Sequence, residues 1–345
     1  MKILLLFPHP IKPTFEAIDK GDMPRERLYG FYELMKDPQY TIYDSDSRFE
    51  GTADKIAAKF RAYGANPVDH KTLAKIAKVD VIVVKDNVSS MVSLTARLLG
   101  KPVIYYDSLF PIPKWAIKRF FLKRCLASCQ KVVGYNYQQV EDYERELGVP
   151  LLQKYKHLDF LLDETFYNKV YQQAPEPQER GYILSIGRDV GRDFKTLIEA
   201  SKRTGHKVKL ITLPYLLTGI ELPDNVEVLQ NISYEALFTL YKGASAVVVP
   251  LKHNLSYASG IRAIMESLVL SKPSVVSETP FVTNNCLDYP NLIPVPPEDV
   301  DAMEQAIEQV FADLDSPRDY QKSLPAYEKT HQEISQMLNE MVGHG

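Results

Sequence analysis

The sequence has few cysteines and lacks a long apolar run, and each shortage excludes a class of protein. Its 345 residues include three cysteines, a low and odd number that does not form a disulfide framework and suits a reducing compartment. Cys125 and Cys129 lie four residues apart in a helical pattern, with no His or further Cys close by in sequence. We interpret them as buried apolar residues rather than metal ligands. No stretch approaches the ~20 apolar residues of a membrane-spanning helix.

The chain also lacks a strong charge of either sign and a leader segment. The formal net charge is −3, which gives no reason to expect a nucleic-acid partner for the molecule as a whole. The apolar run after Met1 is too short for a signal peptide and has no small-residue cleavage site, so we expect a cytoplasmic protein. Domains usually hold about 100 to 200 residues, so the length predicts two of them.

What the sequence does contain is a series of short, β-branched apolar runs separated by helical patterns. The expected strands are Lys2–Phe7, Val79–Val84, Pro102–Tyr106, Lys131–Gly134, Tyr182–Ile186, Lys207–Thr212, Val226–Leu229, Ala246–Pro250 and Pro273–Ser277. Such strands, alternating with amphipathic helices, predict an α/β protein with two doubly wound, Rossmann-like parallel sheets. Ligands bind beyond the carboxyl ends of the strands in such sheets, so we expect the two halves to face each other across a cleft.

A polar segment divides the two halves. Residues 171–180 include two prolines, as expected of an interdomain linker. This segment predicts an N-terminal domain over residues 1–170 and a C-terminal domain over residues 181–315. The helical tail over residues 316–345 either packs locally or crosses back to the first domain.

The most informative segment, residues 247–280, joins two predicted strands through a loop and a helix. Ser259 and Gly260 stand where the helix begins, and free backbone N–H groups together with the helix dipole favour a phosphate there. Glu266 lies two turns further on, and a carboxylate can accept two hydrogen bonds from the vicinal hydroxyls of a ribose. The residues alone equally allow a plain helix cap and an exposed charge.

This segment reads SGIRAIMES and then SKPSVV, and it resembles the donor-binding signature of glycosyltransferase family 4, whose fold is GT-B. The resemblance implies that Glu266 binds the ribose of a nucleotide-sugar donor. It also implies that Ser259, Gly260 and Ile261 offer backbone donors to the diphosphate. The family usually carries a second Glu eight residues earlier, where this chain has Ala258, so the usual contact to a hydroxyl of the donor sugar is missing.

A second segment, SIGRDVGRDFKTLIEA over residues 185–200, is similar to the family element whose two cations clamp the donor diphosphate. Arg188 and Arg192 fit those roles, and Arg can bind phosphate oxygens bidentately. The alternative is that the two arginines pair with Asp189 and Asp193 on the surface.

The candidates in the first half rest on position more than on motif. Gly21 and Asp22 follow the first strand, where relatives have a glycine-rich loop that faces donor and acceptor; the alternative is a plain helix-entry loop. Asp107 follows the strand Pro102–Tyr106 and is predicted either to contact the donor sugar or acceptor or to cap the next helix. We predict Gly21 on the donor side and Asp22 and His157 on the acceptor side, although a lone His is more often structural.

The segment over residues 114–124, KWAIKRFFLKR, combines basic and aromatic residues. Such a helix can lie on an anionic membrane surface, and some relatives act there on lipid-linked acceptors. The interpretation that we favour from the sequence is an ordinary domain helix with its aromatic side chains in the core.

Together these segments predict a glycosyltransferase that moves a sugar from a nucleotide-diphosphate donor to an acceptor hydroxyl, with the retention that the resemblance implies. Arg188, Arg192 and the helix start would stabilise the leaving diphosphate, making a divalent metal unnecessary, and Asp107 is a third catalytic candidate. We expect no cofactor besides the donor substrate, no nucleic acid, and a glycan, lipid-linked or small-molecule acceptor. A nucleotide-sugar 2-epimerase and a non-catalytic partner subunit are the alternatives.

Overall fold

A computed structural model gives the fold of the chain. It describes residues 1–45, 51–62, 67–85, 88–109, 112–253, 255, 257–313 and 327–342. The chain divides into two compact units. Unit 1 comprises Met1–Asp159 and Tyr327–Gly345, and unit 2 comprises Phe160–Ala326. Each unit is built around a parallel sheet of its own.

Unit 1 has a sheet with the strand order β2-β1-β3-β4-β5-β6. Its strands are β1 (Lys2–Leu6), β2 (Thr41–Asp44), β3 (Val81–Val84), β4 (Val103–Tyr106), β5 (Lys131–Gly134) and β6 (Tyr155–His157). The helices between them are α1 (Ile11–Asp19), α2 (Tyr32–Lys36), α3 (Gly51–Ala62), α4 (His70–Ile76), α5 (Ser90–Leu98), α6 (Ala116–Ser128) and α7 (Tyr137–Leu147). The sequences VIVV of β3 and VIYY of β4 are buried throughout, as parallel strands covered on both faces must be.

Unit 2 has a sheet with the strand order β12-β11-β10-β7-β8-β9. Its strands are β7 (Tyr182–Ile186), β8 (Val208–Ile211), β9 (Val226–Leu229), β10 (Ala244–Val249), β11 (Ser274–Ser277) and β12 (Leu292–Val295). Its helices are α8 (Glu164–Gln173), α9 (Phe194–Thr204), α10 (Tyr234–Gly243), α11 (Ile261–Val269), α12 (Pro280–Asn285) and α13 (Val300–Ala312). The strand order reverses between β7 and β10, which makes their shared end the topological switch point of the sheet.

The predicted α/β fold with two doubly wound sheets is confirmed, and all nine expected strands are present. The sequence missed β2, β6 and β12, and each of these lies at an edge of its sheet. Edge strands are short and partly solvated, so they lack the continuous apolar run that marks a buried strand. Within the described ranges, no helix is long and apolar enough to cross a bilayer.

The boundary between the two units lies earlier in the sequence than the polar segment at residues 171–180, where the sequence predicts it. Helix α8 contacts α10 and α11, and Tyr167 of α8 is fully buried. The boundary therefore falls after Asp159, ahead of α8. The first residues of the predicted linker form the end of α8. The apolar face of this helix packs on unit 2, so the helix belongs to that unit.

The C-terminal helix α14 (Glu328–Val342) belongs to unit 1, so the tail crosses back to the first domain. Tyr327, just before it, accepts a hydrogen bond from the backbone N–H of Gly30 at 3.1 Å. Ile334 is fully buried, and a Cβ on Gly30 would lie 2.5 Å from its Cδ1. The absence of a side chain at Gly30 therefore makes room for the tail.

We expect Ile334→Ala to lower the free energy of unfolding by about 2–5 kcal/mol, because it leaves a cavity where α14 packs. Urea unfolding followed by circular dichroism measures this change. Ile56→Ala on α3 is the matched control, since Ile56 is largely exposed, and it should change the free energy by less than about 0.5 kcal/mol. Equal losses in the two variants would contradict the docking of α14.

Candidate functional site

The carboxyl ends of β7 and β10 lie at the switch point of unit 2, the place where doubly wound sheets bind ligands. The loop after β7, residues 187–193, is fastened to the loop after β10 by backbone hydrogen bonds. The N–H of Lys252 donates to the carbonyl of Gly191 at 2.9 Å, and the N–H of Asp193 donates to the carbonyl of Pro250 at 3.1 Å. The backbone at this point is therefore held in one conformation.

Asp189 is the centre of the polar contacts in this loop. Its Oδ1 accepts hydrogen bonds from the Ser259 hydroxyl at 2.5 Å, the Gly191 N–H at 3.0 Å and the Tyr257 hydroxyl at 3.2 Å. Its Oδ2 accepts from Nε of Arg192 at 3.2 Å. Burial alone would raise the pKa of Asp189, but the charge of Arg192 and the hydrogen bonds outweigh it and lower the pKa. Asp189 is thus held as a carboxylate.

Arg192 lies between this loop and the start of α11. Its side chain is 5% exposed. A Cβ on Gly187 would come within 2.3 Å of its Nε, and one on Gly260 within 3.2 Å of its Nη1, so both glycines make room for the guanidinium. Nη1 is buried and has no hydrogen-bond partner among the described residues. Because a buried N–H group without an acceptor is costly, this nitrogen is placed to bind an anion.

Helix α11 begins beside that nitrogen without a side-chain cap. Its N-cap is Gly260, in the left-handed conformation with a φ of 79°. The hydroxyl of Ser259, which the sequence allowed as a cap, donates to Asp189 instead. The first backbone N–H groups of a helix have no partner within the helix, so those from Ile261 onward present positive dipoles where a phosphate would bind.

Glu266 is buried on α11 and is not the exposed charge that the sequence allowed as an alternative. It is 5% exposed. Its Oε2 accepts a hydrogen bond from the Tyr241 hydroxyl at 3.0 Å, and its Oε1 accepts one from the Tyr167 hydroxyl at 3.3 Å. Burial, and then the charge of Glu266, raises the pKa of Tyr241, which therefore stays a neutral donor. The guanidinium of Arg262, one turn earlier on α11, also lies near this carboxylate, with 3.9 Å between Nη1 and Oε1.

The sequence did not identify Tyr167 and Tyr241 as part of this site. Tyr167 is 99 residues from Glu266 in the chain, and Tyr241 is 25 residues away. A tyrosine on a helix gives the same apolar signal as any other core residue. Only the packing of α8 and α10 against α11 brings their hydroxyls to one carboxylate.

The two arginines of the predicted clamp have different environments. Arg188 is exposed, and its backbone carbonyl accepts a hydrogen bond from the Tyr215 hydroxyl at 3.2 Å. Arg192 does pair with Asp189, as the alternative interpretation had it, but its guanidinium is buried while the side chain of Asp189 is 38% exposed. Asp193 instead caps α9, with its Oδ1 accepting from the N–H of Thr196 at 3.3 Å.

In unit 1, Asp107 lies at the carboxyl end of β4 and forms an ion pair with Lys85 at the end of β3, with 2.7 Å between Nζ and Oδ2. Asp107 has a positive φ of 44°, which is uncommon for a residue other than glycine. It is not the cap of the next helix, because the N-cap of α6 is Trp115. The ammonium of Lys85, a residue that the sequence did not single out, also lies 4.1 Å from the ring centroid of Tyr29.

Gly21 and Asp22 lie beyond α1 rather than directly after β1. Gly21 has a φ of 77°, and its N–H donates to the carbonyl of Ile18. The N–H of Asp22 donates to the carbonyl of Ala17, five residues back, which completes a Schellman ending of α1. The end of the helix accounts for the glycine, and the side chain of Asp22 is exposed.

The two histidines near strand ends are packed in aromatic surroundings. His157 stacks on Tyr137, with 5.0 Å between the ring centroids, and its Nε2 lies 3.8 Å from Asp159. Burial lowers its pKa, against the opposing charge of Asp159. His9 contacts the backbone carbonyl of Arg27 through Nε2 at 3.1 Å, and burial lowers its pKa as well. Both are therefore held toward the neutral form.

Sequence comparison matches the region that contains this site to a known family. Residues 168–325 match the family described as "Glycosyl transferases group 1". A relative, the O-antigen chain mannosyltransferase RfbU of Salmonella typhimurium, is 24% identical over 230 residues. That alignment covers 61% of this chain and 58% of RfbU, so the chain spans little more than half the length of this relative. Residues 168–325 are thus similar to group 1 glycosyl transferases, and a longer stretch of the chain is similar to a mannosyltransferase.

Comparison with solved structures gives the fold over the whole chain. A sucrose-phosphate synthase from Thermosynechococcus elongatus aligns with a TM-score of 0.67 at 15% identity, covering 100% of both chains. Anabaena HepE in complex with UDP and glucose aligns with a TM-score of 0.65 at 14% identity, covering 98% of this chain and 99% of that one. The GT-B architecture that the sequence resemblance implied is confirmed by these alignments.

We expect the destabilisation caused by Asp189→Asn at neutral pH to shrink as the pH falls below the ordinary Asp pKa of about 3.9. The pKa of Asp189 is lowered in the folded protein, so its ionised form stabilises the fold above that pH. The wild type loses this contribution as the pH falls through the folded pKa, while the Asn variant has none to lose. Melting temperatures of both proteins from neutral to acid pH measure the convergence.

Asp224→Asn, at an exposed position of the same unit, is the control for this pH series. It should run parallel to the wild type throughout. A constant gap between the wild type and Asp189→Asn at every pH would contradict the ionic role of Asp189.

Proposed function

We propose that the chain transfers a sugar from a nucleotide-diphosphate donor to an acceptor hydroxyl, and that unit 2 binds the donor. The observation that carries this proposal is the buried Nη1 of Arg192, which lacks a partner among the described residues and adjoins Gly260 at the uncapped start of α11. A fixed cation and a helix N-terminus at one point form a site for a dianionic group. The match of residues 168–325 to group 1 glycosyl transferases supports the same assignment.

The diphosphate of the donor would lie between Arg192 and α11. Nη1 of Arg192 donates to one phosphate oxygen, and the backbone N–H groups of Gly260 and Ile261 donate to others. The hydroxyl of Ser259 donates to Asp189 and its N–H donates to the carbonyl of Tyr257 at 3.0 Å, so Ser259 would have to release Tyr257 to offer its N–H to the diphosphate. Arg188 lies just after β7, in the same loop as Arg192, and its side chain is exposed. It would turn toward the phosphates when a donor binds.

The nucleoside end would bind near Glu266. This carboxylate is held by two tyrosine hydroxyls from α8 and α10, so its orientation is fixed before any ligand arrives. In the proposed complex, its two oxygens would accept hydrogen bonds from the two ribose hydroxyls. Preorganisation of this kind reduces the ordering cost of binding.

In the reaction, the bond from the anomeric carbon to the terminal diphosphate oxygen breaks and a bond to the acceptor oxygen forms. The acceptor hydroxyl loses its proton, and negative charge develops on the leaving diphosphate. Arg192, Arg188 and the dipole of α11 stabilise that charge, a role that a divalent metal fills in other sites. Retention of configuration is part of the proposal on the strength of the family resemblance.

Unit 1 would supply the acceptor side. Asp107 is the candidate to contact the donor sugar or the acceptor, and its ion pair with Lys85 orients the carboxylate. Asp22 and His157 stay predictions for acceptor contacts, and Gly21 stays a prediction for the donor. The acceptor is proposed as a glycan, lipid-linked or small-molecule hydroxyl compound.

A thermal-shift screen against UDP, GDP, ADP and dTDP should show one nucleotide that raises the melting temperature well above the others, because a ligand that binds the folded state stabilises it. The nucleotide so chosen then serves in the binding experiments. No shift with any of the four would contradict the proposed donor site.

We expect Arg192→Lys to weaken that nucleotide by about ten- to a hundredfold, since it keeps a cation beside Asp189 but removes the Nη1 donor. It should weaken inorganic pyrophosphate by a similar factor. Glu266→Gln should weaken the nucleotide but leave pyrophosphate unchanged, because Glu266 is assigned to the ribose. Isothermal titration calorimetry with both ligands measures the four affinities.

Arg203→Lys is the matched control, because Arg203 is an exposed residue of α9 that pairs with Asp301. Its affinities should equal those of the wild type. Unchanged affinities in Arg192→Lys, or a loss of pyrophosphate binding in Glu266→Gln, would overturn the site assignment. Conversion of a nucleotide sugar without any acceptor would favour a 2-epimerase, and donor binding without turnover would favour a non-catalytic subunit.

A further inference from the structure

The outer face of helices α5 and α6 in unit 1 exposes large apolar side chains. The most exposed are Leu98 at 77%, Trp115 at 64%, Leu94 at 60% and Phe120 at 57%. Leu99 and Ile117 are also exposed. Helices α5 and α6 contact each other, and the face that carries these side chains is called here the α5–α6 surface. Several large apolar side chains exposed on two neighbouring helices favour a binding surface over ordinary solvent exposure.

The structure overturns the interpretation of residues 114–124 that the sequence favoured, in which the aromatic side chains lie in the core. Of the thirteen residues of α6, Cys125 and Leu126 are the buried ones. Leu122 is partly buried against the core of unit 1, whereas Trp115 and Phe120 are exposed. These two aromatic side chains therefore lie outside that core.

The charge around this surface is strongly one-sided. Residues 88–135 contain eight basic residues and one acidic residue, in a chain whose net charge is −3. The basic residues are Arg97, Lys101, Lys114, Lys118, Arg119, Lys123, Arg124 and Lys131. The acidic residue is Asp107, which pairs with Lys85 at the strand ends. From outside this range, Glu146 of α7 pairs with Arg119, with 3.3 Å between Oε2 and Nη1. The other basic residues outnumber these two carboxylates, so the α5–α6 surface is complementary to an anionic partner.

A groove between α5 and α6 concentrates part of this charge. It has a volume of about 410 Å³, and Arg97, Lys101 and Arg124 line it together with Ser93, Ser128 and Gln130. None of the described residues that line it is acidic. Three cations and several hydroxyl and amide groups suit a phosphate group.

Cations and aromatic rings also alternate along α6. The ammonium of Lys118 lies 5.6 Å from the ring centroid of Trp115, and the guanidinium of Arg124 lies 5.8 Å from that of Phe120. Protein–protein interfaces are depleted of Lys at their centre. Nucleic acids are bound mainly through hydrogen bonds to phosphates and base edges, and exposed Leu side chains make none. A lipid bilayer meets both features, because apolar side chains enter the acyl boundary while cations remain at the headgroups.

We propose that the α5–α6 surface docks unit 1 on an anionic lipid bilayer, with the cationic groove receiving a lipid phosphate. Leu94, Leu98 and Phe120 insert below the headgroups. Arg97, Lys101 and Arg124 contact the phosphates. This attachment is peripheral and reversible, as expected of apolar insertion combined with charge attraction. It does not depend on the donor site in unit 2.

Vesicle sedimentation of the whole chain without nucleotide tests this proposal. The wild type should bind vesicles of phosphatidylcholine and phosphatidylglycerol in equal parts, and bind phosphatidylcholine vesicles far more weakly. The triple variant Arg97→Gln/Lys101→Gln/Arg124→Gln should lose roughly a hundredfold in affinity for the mixed vesicles, since each cation near an anionic surface contributes about fivefold. Leu94→Ser/Leu98→Ser/Phe120→Ser should also lose binding, and added salt should not restore it.

The controls are matched variants in unit 2. Lys169→Gln/Lys195→Gln/Lys202→Gln removes three exposed cations, and Leu222→Ser/Leu287→Ser removes two exposed leucines. Both should bind as the wild type does. The proposal is overturned if the wild type does not bind mixed vesicles, or if the controls lose as much as the test variants. Light scattering that shows a dimer dissolved by the leucine and phenylalanine changes, without vesicle binding, would assign the surface to a second copy of the chain.

Discussion

The ion pair between Asp189 and the buried guanidinium of Arg192 is the interaction on which the candidate site depends. The side chain of Arg192 is 5% exposed, so loss of Asp189 would leave an uncompensated charge in the interior. The pair exists because Gly187 and Gly260 leave space for the guanidinium. Asp189 then engages the hydroxyl of Ser259, so no side chain caps α11. One ion pair therefore fixes both the cation and the open helix end that a phosphate would meet.

Glu266 is ordered in a similar way at the other end of α11. Its two tyrosine partners come from α8 and α10, which makes the carboxylate a junction of three helices. Because α8 begins before the polar segment at residues 171–180, a helix that the sequence placed largely in the first domain completes the site of the second. The same contacts serve stability and ligand binding here. For variants of Glu266, ligand affinity and melting temperature should therefore be measured together.

The sequence predicted the parts of the structure that depend on local pattern. Buried strands produce continuous apolar runs, and these runs predicted nine strands. The candidate site residues at positions 188, 192, 259, 260 and 266 were recognised by their order along the chain, and their roles stay predictions. It could not predict contacts made by packing at a distance, such as Tyr167 on Glu266 or Lys85 on Asp107. It also misjudged α6, because periodicity shows an aromatic stripe but not whether another element covers it. Gly21 shows the same limit, since a helix ending and a ligand loop both favour glycine.

The most direct test of this account is a crystal structure of the chain with the nucleoside diphosphate that stabilises it most. The account predicts a phosphate oxygen within hydrogen-bond distance of Arg192 Nη1 and of the first backbone N–H groups of α11, with the ribose at Glu266. A diphosphate bound elsewhere, with Arg192 still contacting Asp189 alone, would contradict it.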